Sequence, residues 1–188
     1  MYIILIISGI IALDQFTKYM IISTMTEHQS VTFINGIMDF TYKKNTGVAF
    51  SMLSNQRILY MVFTAIMLAV MIAFLIKYRD KHKLLLISIA FLAGGGLGNM
   101  IDRLFRADVD GTKFVVDFFE FKFVDFAIFN VADCFITFGA ILLVVFVLFF
   151  EKKYPVFEKK LSEISIEQAD EIESEQGENE TDNTDTQS

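Results

Sequence analysis

The sequence predicts an α-helical integral membrane protein with four transmembrane helices, a small sheet on its outer side and a second outer loop between helices 3 and 4. Three observations predict it. Hydrophobic residues make up 54% of the 188 positions, too many for an ordinary soluble domain of this length. Four apolar stretches are long enough to cross a hydrocarbon layer, which takes about 20 helical residues. A short, strongly basic loop separates the second stretch from the third, and such loops stay on the cytoplasmic side.

The first span runs from Tyr2 to Ile22. No basic residue precedes it, and it contains Asp14 and Lys18, so it reads as a retained helix rather than a cleaved signal. The second span is Ile58 to Ile76. The third runs from Leu84 to about Met100, with room to continue to Asp102, and the fourth from Phe129 to Phe150. Lys77, Arg79, Lys81 and Lys83 mark the loop between spans two and three as cytoplasmic. Lys152, Lys153, Lys159 and Lys160 mark the same side after the fourth. Both termini then lie inside, and loops 23–57 and 103–128 lie outside. In the first of these, Ile34-Asn35-Gly36-Ile37 is a hairpin-turn signal. In the second, Phe119 to Phe123 alternates with period two, as a half-buried strand does.

Charge separates residues 1–155, one membrane domain, from residues 156–188, an acidic tail. Residues 161–188 carry ten Asp or Glu and no Lys or Arg; removing those ten charges from the net −7 leaves +3 on the rest. Such a tail is expected to be disordered, cytoplasmic and dispensable for chemistry.

The topology gathers polar side chains at one depth. Asp14 lies about 18 Å along the first helix at about 1.5 Å per residue, past the midplane. Asn99, Asp102 and Arg103 close the outer end of the third span, while Asn130 and Asp133 open that of the fourth. Ionisable groups at membrane depth are costly and mark function by default. Each has a plainer reading. Asp14 and Lys18, four apart on one face, make an internal ion pair. Arg103 holds Asp102 ionised. Asp133 is a first-turn acid favoured by the helix dipole. Gly94, Gly95, Gly96 and Gly98 lack the strand that a dinucleotide loop needs, and read as small residues that let helices approach.

Other chemistries fail on placement. His28 and His82 fall on opposite sides, so neither a Ser-His nor a Cys-His pair forms here. Cys134, the only cysteine, permits no internal disulfide and no multi-cysteine metal site. No metal, cofactor or nucleic-acid partner is expected. Carboxylates remain, and two close carboxylates can share one proton. A proton-coupled transporter using Asp14, Asp102 and Asp133 as a relay is the alternative, weakened because no acid lies in the inner half of any span.

Five segments together resemble the lipoprotein signal peptidases, or signal peptidase II, the aspartic peptidases of the bacterial cytoplasmic membrane. They are Asp14-Gln15-Phe16-Thr17-Lys18, Asn45-Thr46-Gly47-Val48-Ala49-Phe50, Gly98-Asn99-Met100-Ile101-Asp102-Arg103, Val115-Val116-Asp117-Phe118 and Phe129-Asn130-Val131-Ala132-Asp133. The resemblance covers nearly all of residues 10 to 140. It implies four transmembrane helices, a β-cradle between helices 1 and 2, and a catalytic pair at Asp117 and Asp133. It places Asp14, Lys18, Asn45, Gly47, Asn99, Asp102, Arg103, Asn130 and Ala132 in support. It also implies diacylglyceryl-modified prolipoprotein substrates, membrane lipids and globomycin-type inhibitors as partners. Val124-Asp125-Phe126 is a second Val-Asp-Phe eight residues before Asp133; the doubled valine favours Asp117 over Asp125. Val48 and Cys134 stand where the family more often has Ala and Ser, and the stretch 104–114 is long for it.

Overall fold

The structure, a computed structural model, describes residues 2–47 and 57–151. Val48 to Phe50, the basic residues after position 151 and the acidic tail lie outside the described residues. Among the described residues, four helices and three strands occur in the order α1 (Tyr2–Thr24), β1 (Ser30–Ile34), β2 (Met38–Asn45), α2 (Arg57–Lys77), α3 (Lys83–Phe105), β3 (Val115–Phe121) and α4 (Val131–Phe149). All of these up to Phe146 belong to one compact unit.

Among the described residues, α1, α3 and α4 are long and apolar enough to cross a membrane, and Met61–Lys77 of α2 forms a shorter apolar helix. The helix ends differ from expectation by one or two residues in most cases. α3 differs more. It continues past Met100 to Phe105 and equals α1 at 23 residues, because its last turns carry polar side chains that find partners within the protein.

α3 is the axis of packing. Buried positions make up 56% of its most apolar stretch, against 17% in α1 and in α4. The outer helices turn Ile4, Leu5, Phe16, Tyr19, Phe138, Ile141 and Val144 outward, as a hydrocarbon surrounding permits and water does not. The glycines of α3 set how close its neighbours come. A Cβ on Gly95 would collide with the Ala132 carbonyl of α4, and one on Gly98 would meet Asp14 Oδ2 of α1 at 2.6 Å. These are the close approaches that small residues allow between membrane helices. α1 and α3 run the same way, Ile10 facing Gly94 and Asp14 facing Gly98. α4 runs against α3, with Phe135 on Phe91 and Gly139 against the Ser88 carbonyl.

The three strands form one antiparallel sheet in the order β1-β2-β3. The β1–β2 turn falls where Asn35-Gly36 places it: Gly36 has φ +71° and Ile37 N–H donates to the Ile34 carbonyl at 2.9 Å. Two expectations need correcting. The sheet is not confined to the chain between helices 1 and 2, because β3 comes from the loop between α3 and α4. The strand there is also Val115–Phe121 and not Phe119–Phe123. Its first four residues are all buried, so they show no alternation; period two emerges only where one face loses its cover. Val116 and Phe118 pack with Ile21, Tyr42 and Phe114, seating the sheet on the end of α1.

Candidate active site

Two clusters of buried polar side chains meet where α1, α3, β3 and the start of α4 converge. The first centres on Lys18, which is fully buried. Its ammonium lies 2.8 Å from Asp14 Oδ2, 3.0 Å from Asp102 Oδ2 and 2.9 Å from Asn99 Oδ1, which occupies all three of its donors. Asp14 also accepts from Ala132 N–H at 3.0 Å, fastening α1 to the first turn of α4. Asp102 accepts from Arg106 Nε at 3.1 Å, from Gln15 Nε2 at 3.2 Å and from Val116 N–H at 3.3 Å. Two carboxylates and two cations sum to zero, as buried charge requires. The ion pair read from Asp14 and Lys18 is therefore present but reaches further than one helix. The role expected of Arg103 belongs to Lys18 and Arg106 instead: Arg103 follows Asp102 by one residue, a direction about 100° around the helix.

The second cluster holds Asp117 and Asp133. Asp117 is 2% exposed on β3. It accepts from Asn130 Nδ2 at 2.7 Å and from Asn45 Nδ2 at 2.8 Å. Asp133, half-buried in the first turn of α4, accepts from Asn99 Nδ2 at 2.8 Å and from Asn130 N–H at 3.1 Å. Asn130 thus touches both carboxylates. Its Oδ1 in turn accepts from Asp133 N–H at 3.1 Å, so Asn130 and Asp133 close a reciprocal capping box. Asp133 is a helix-start acid, as the plainer reading has it, and a neighbour of Asp117 as well.

Three asparagines aim their amides at the pair, and each orientation is set by a donor that occupies its oxygen. Gly47 N–H donates to Asn45 Oδ1 at 2.9 Å, with Gly47 at φ +77°, where a side chain is strained. Lys18 and Asn130 both donate to Asn99 Oδ1. Asp133 N–H donates to Asn130 Oδ1. The remaining NH₂ groups then face carboxylate oxygens.

Among the described residues no ion pair reaches Asp117 or Asp133. Burial, reinforced by the negative charge of Asp133, pushes the Asp117 carboxyl up to about 6, against the donors Asn45 and Asn130 and the distant Lys18. A carboxyl that keeps a proton near neutrality beside a second carboxylate can act as acid and base in one step. Asp125 is exposed in the loop after β3. Cys134 is half-buried. No group of three or more potential ligands for a metal occurs among the described residues. Gln15 and Arg106 are the members of this network that the sequence reading did not assign. Arg106 lies four residues after Asp102, the spacing that pairs charges on a helix.

The family model described as Signal peptidase (SPase) II matches residues 6–149, a range that takes in every side chain above. The chain belongs to the signal peptidase II family. Among its relatives, the lipoprotein signal peptidase of Streptococcus thermophilus (strain CNRZ 1066) is 36% identical over 138 residues, 73% of this chain and 86% of that protein. That of Streptococcus agalactiae serotype V (strain ATCC BAA-611 / 2603 V/R) is 41% identical over 136 residues, 72% and 84%. A solved bacterial membrane enzyme, determined by the in meso method at 1.9 Å resolution, superposes with a TM-score of 0.72 at 34% identity, covering 79% of this chain and 94% of that one. As a signal peptidase II, the protein is an aspartic peptidase and a multi-pass membrane protein. The transporter reading finds no support in these likenesses.

Proposed function

We propose that this protein removes signal peptides from diacylglyceryl-modified prolipoproteins, cutting on the N-terminal side of the lipidated cysteine with Asp117 and Asp133. The observation that carries the reading is the pair itself: two carboxylates on one asparagine, held by neutral amides, with one of them raised to about 6. One carboxylate takes a proton from water while the other gives its proton to the scissile carbonyl oxygen, so the water oxygen bonds to carbon without a covalent enzyme intermediate. When the resulting diol collapses, the C–N bond breaks. The first aspartate passes its proton to the departing amine and the second recovers its own from the diol.

The location supports the substrate. The pair sits at the ends of apolar helices, where a diacylglyceryl chain stays in the lipid while the peptide bond reaches polar groups. The basic loop at Lys77–Lys83, together with α3 running parallel to α1 and antiparallel to α4, supports four spans, cytoplasmic termini and a site at the outer face of the cytoplasmic membrane. Globomycin-type inhibitors belong to the same proposal as ligands of this site. The test is cleavage of a purified prolipoprotein, with and without its diacylglyceryl group, followed by mass spectrometry. The expected product begins at the lipidated cysteine and forms only from the modified substrate. No cleavage by a folded protein under conditions in which the Streptococcus thermophilus relative cuts overturns the reading.

A further inference from the structure

Resting on that reading, we infer that the pair is polarised, with Asp133 the ionised base and Asp117 the proton-carrying acid, and that Asn99 held by Lys18 is the positioning residue that fixes this order. Each aspartate accepts two hydrogen bonds, so number does not decide between them. The nature of the donors does. Asp133 takes one bond from Asn99, whose Oδ1 is bound by the Lys18 ammonium at 2.9 Å. A cation on the carbonyl end of an amide polarises its N–H toward the acceptor, in a chain that strengthens each bond. The other comes from Asn130 N–H at the start of α4, where the unpaired amides and the helix dipole favour negative charge. Asp133 is also the less buried of the two and loses less hydration on ionising.

Asp117 has none of these supports. It sits on a strand, which has little net dipole, and is almost wholly buried. One of its donors is Asn45, itself exposed and oriented by a neutral backbone amide. Burial opposes its ionisation, consistent with the carboxyl being raised to about 6. Among the described residues, the charged and titratable groups on the elements packed around the pair include Asp14 and Lys18 from α1, Asp102, Arg103 and Arg106 from α3, Lys43 opposite Asp117 in the β2–β3 register, and Cys134 beside Asp133. Asp14, Asp102, Lys18 and Arg106 neutralise one another; Lys18 reaches Asp133 through the amide of Asn99, whereas it acts on Asp117 only from a distance and as the smallest of the influences there. In the hydrolysis, the water proton goes to Asp133 and the proton of Asp117 goes to the carbonyl oxygen; as the C–N bond breaks, Asp133 passes its proton to the departing amine and Asp117 takes one back from the diol.

The experiment is the pH profile of kcat/KM for the diacylglyceryl-modified substrate with wild type, Asn99→Leu and Asn45→Ala. Removing a donor raises the pKa of the carboxylate that is charged when the donor acts. Asn99→Leu is therefore expected to raise the acid limb by about one pH unit, the size of a lost hydrogen bond to a charge, and to leave the alkaline limb in place. Asn45→Ala is expected to raise the alkaline limb and leave the acid limb. The exchanged pattern overturns the assignment while leaving the peptidase reading intact. Rates lowered equally at all pH, with both limbs fixed, also overturn it, since a purely structural role does that. Should Asn99→Leu not fold, Asn45→Ala decides alone, because Asn45 is exposed at the end of its strand. Wild type that cuts nothing defeats the peptidase reading itself and is distinguishable from all of these.

Discussion

Two carboxylate pairs lie side by side, and the protein treats them in opposite ways. Asp14 and Asp102 share a lysine placed between them at 2.8 and 3.0 Å, with Arg106 completing the neutrality. Asp117 and Asp133 receive amide donors and, among the described residues, no cation at ion-pair distance. The first arrangement balances each carboxylate against a cation held at contact distance. The second holds geometry as firmly but leaves protonation open, which acid–base work needs. The lesson is that burial and firmly held geometry do not distinguish a brace from a reactive centre. The chemical type of the partner does.

Each half of that contrast can be broken separately. The largest effect is expected at the reactive pair: Asp117→Asn and Asp133→Asn lower kcat by about 10²- to 10⁴-fold, the range for a positioned acid or base, while Asp125→Asn stays within about twofold. Cleavage kinetics with folding checked by circular dichroism measure this. An active Asp117→Asn beside a dead Asp125→Asn would move the reactive centre to the loop. Next comes the brace. Lys18→Met strands two buried carboxylates and is expected to cost about 3–5 kcal/mol of stability, read from thermal unfolding in micelles, with part recovered in Lys18→Met/Asp14→Asn. Unchanged stability would mean that the lysine holds nothing.

The smallest effect sharpens the contrast by pH. Asp117 titrates near 6 in the folded chain against an ordinary 3.8, so between those values the folded state keeps a proton that the unfolded state has released. Stability therefore falls as pH rises through this window, by at most about 3 kcal/mol. Asp117→Asn removes that dependence, so its melting temperature should gain on the wild type from pH 4 to pH 7. A constant difference across that range would show that the carboxyl is not perturbed.

How much of this was legible in the sequence depends on the range of the interaction. Apolar runs placed the helices, since crossing a membrane is a property of one segment. Asn35-Gly36 placed the hairpin turn, because positive φ is a local demand. The same-helix pair Asp14–Lys18 was visible at spacing four. Lys18 to Asp102, Ala132 to Asp14 and Asn45 to Asp117 were not visible to spacing at all. Only the family resemblance set Asn45 beside the site. They join residues 72 to 118 positions apart or on different helices, where no periodicity operates. β3 was misplaced for a related reason: a strand covered on both faces loses the alternation by which strands are recognised. Gln15 lay in plain view, adjacent to Asp14, but a neighbour in sequence points elsewhere on an isolated helix and meets Asp102 only through packing.

The reciprocal cap between Asn130 and Asp133 makes α4 a ruler. The third residue of that helix is Asp133, proposed above as one of the two catalytic carboxylates, and it stands within about 5 Å of the point where the apolar run begins, at about 1.5 Å per residue. On that assignment the cutting height is set by the same turn that starts the apolar helix. A substrate anchored in the lipid by its own acyl chains is measured from the same surface. On the proposed function, the bond to be cut is then found by its height above the hydrocarbon, and side-chain recognition has correspondingly less to do.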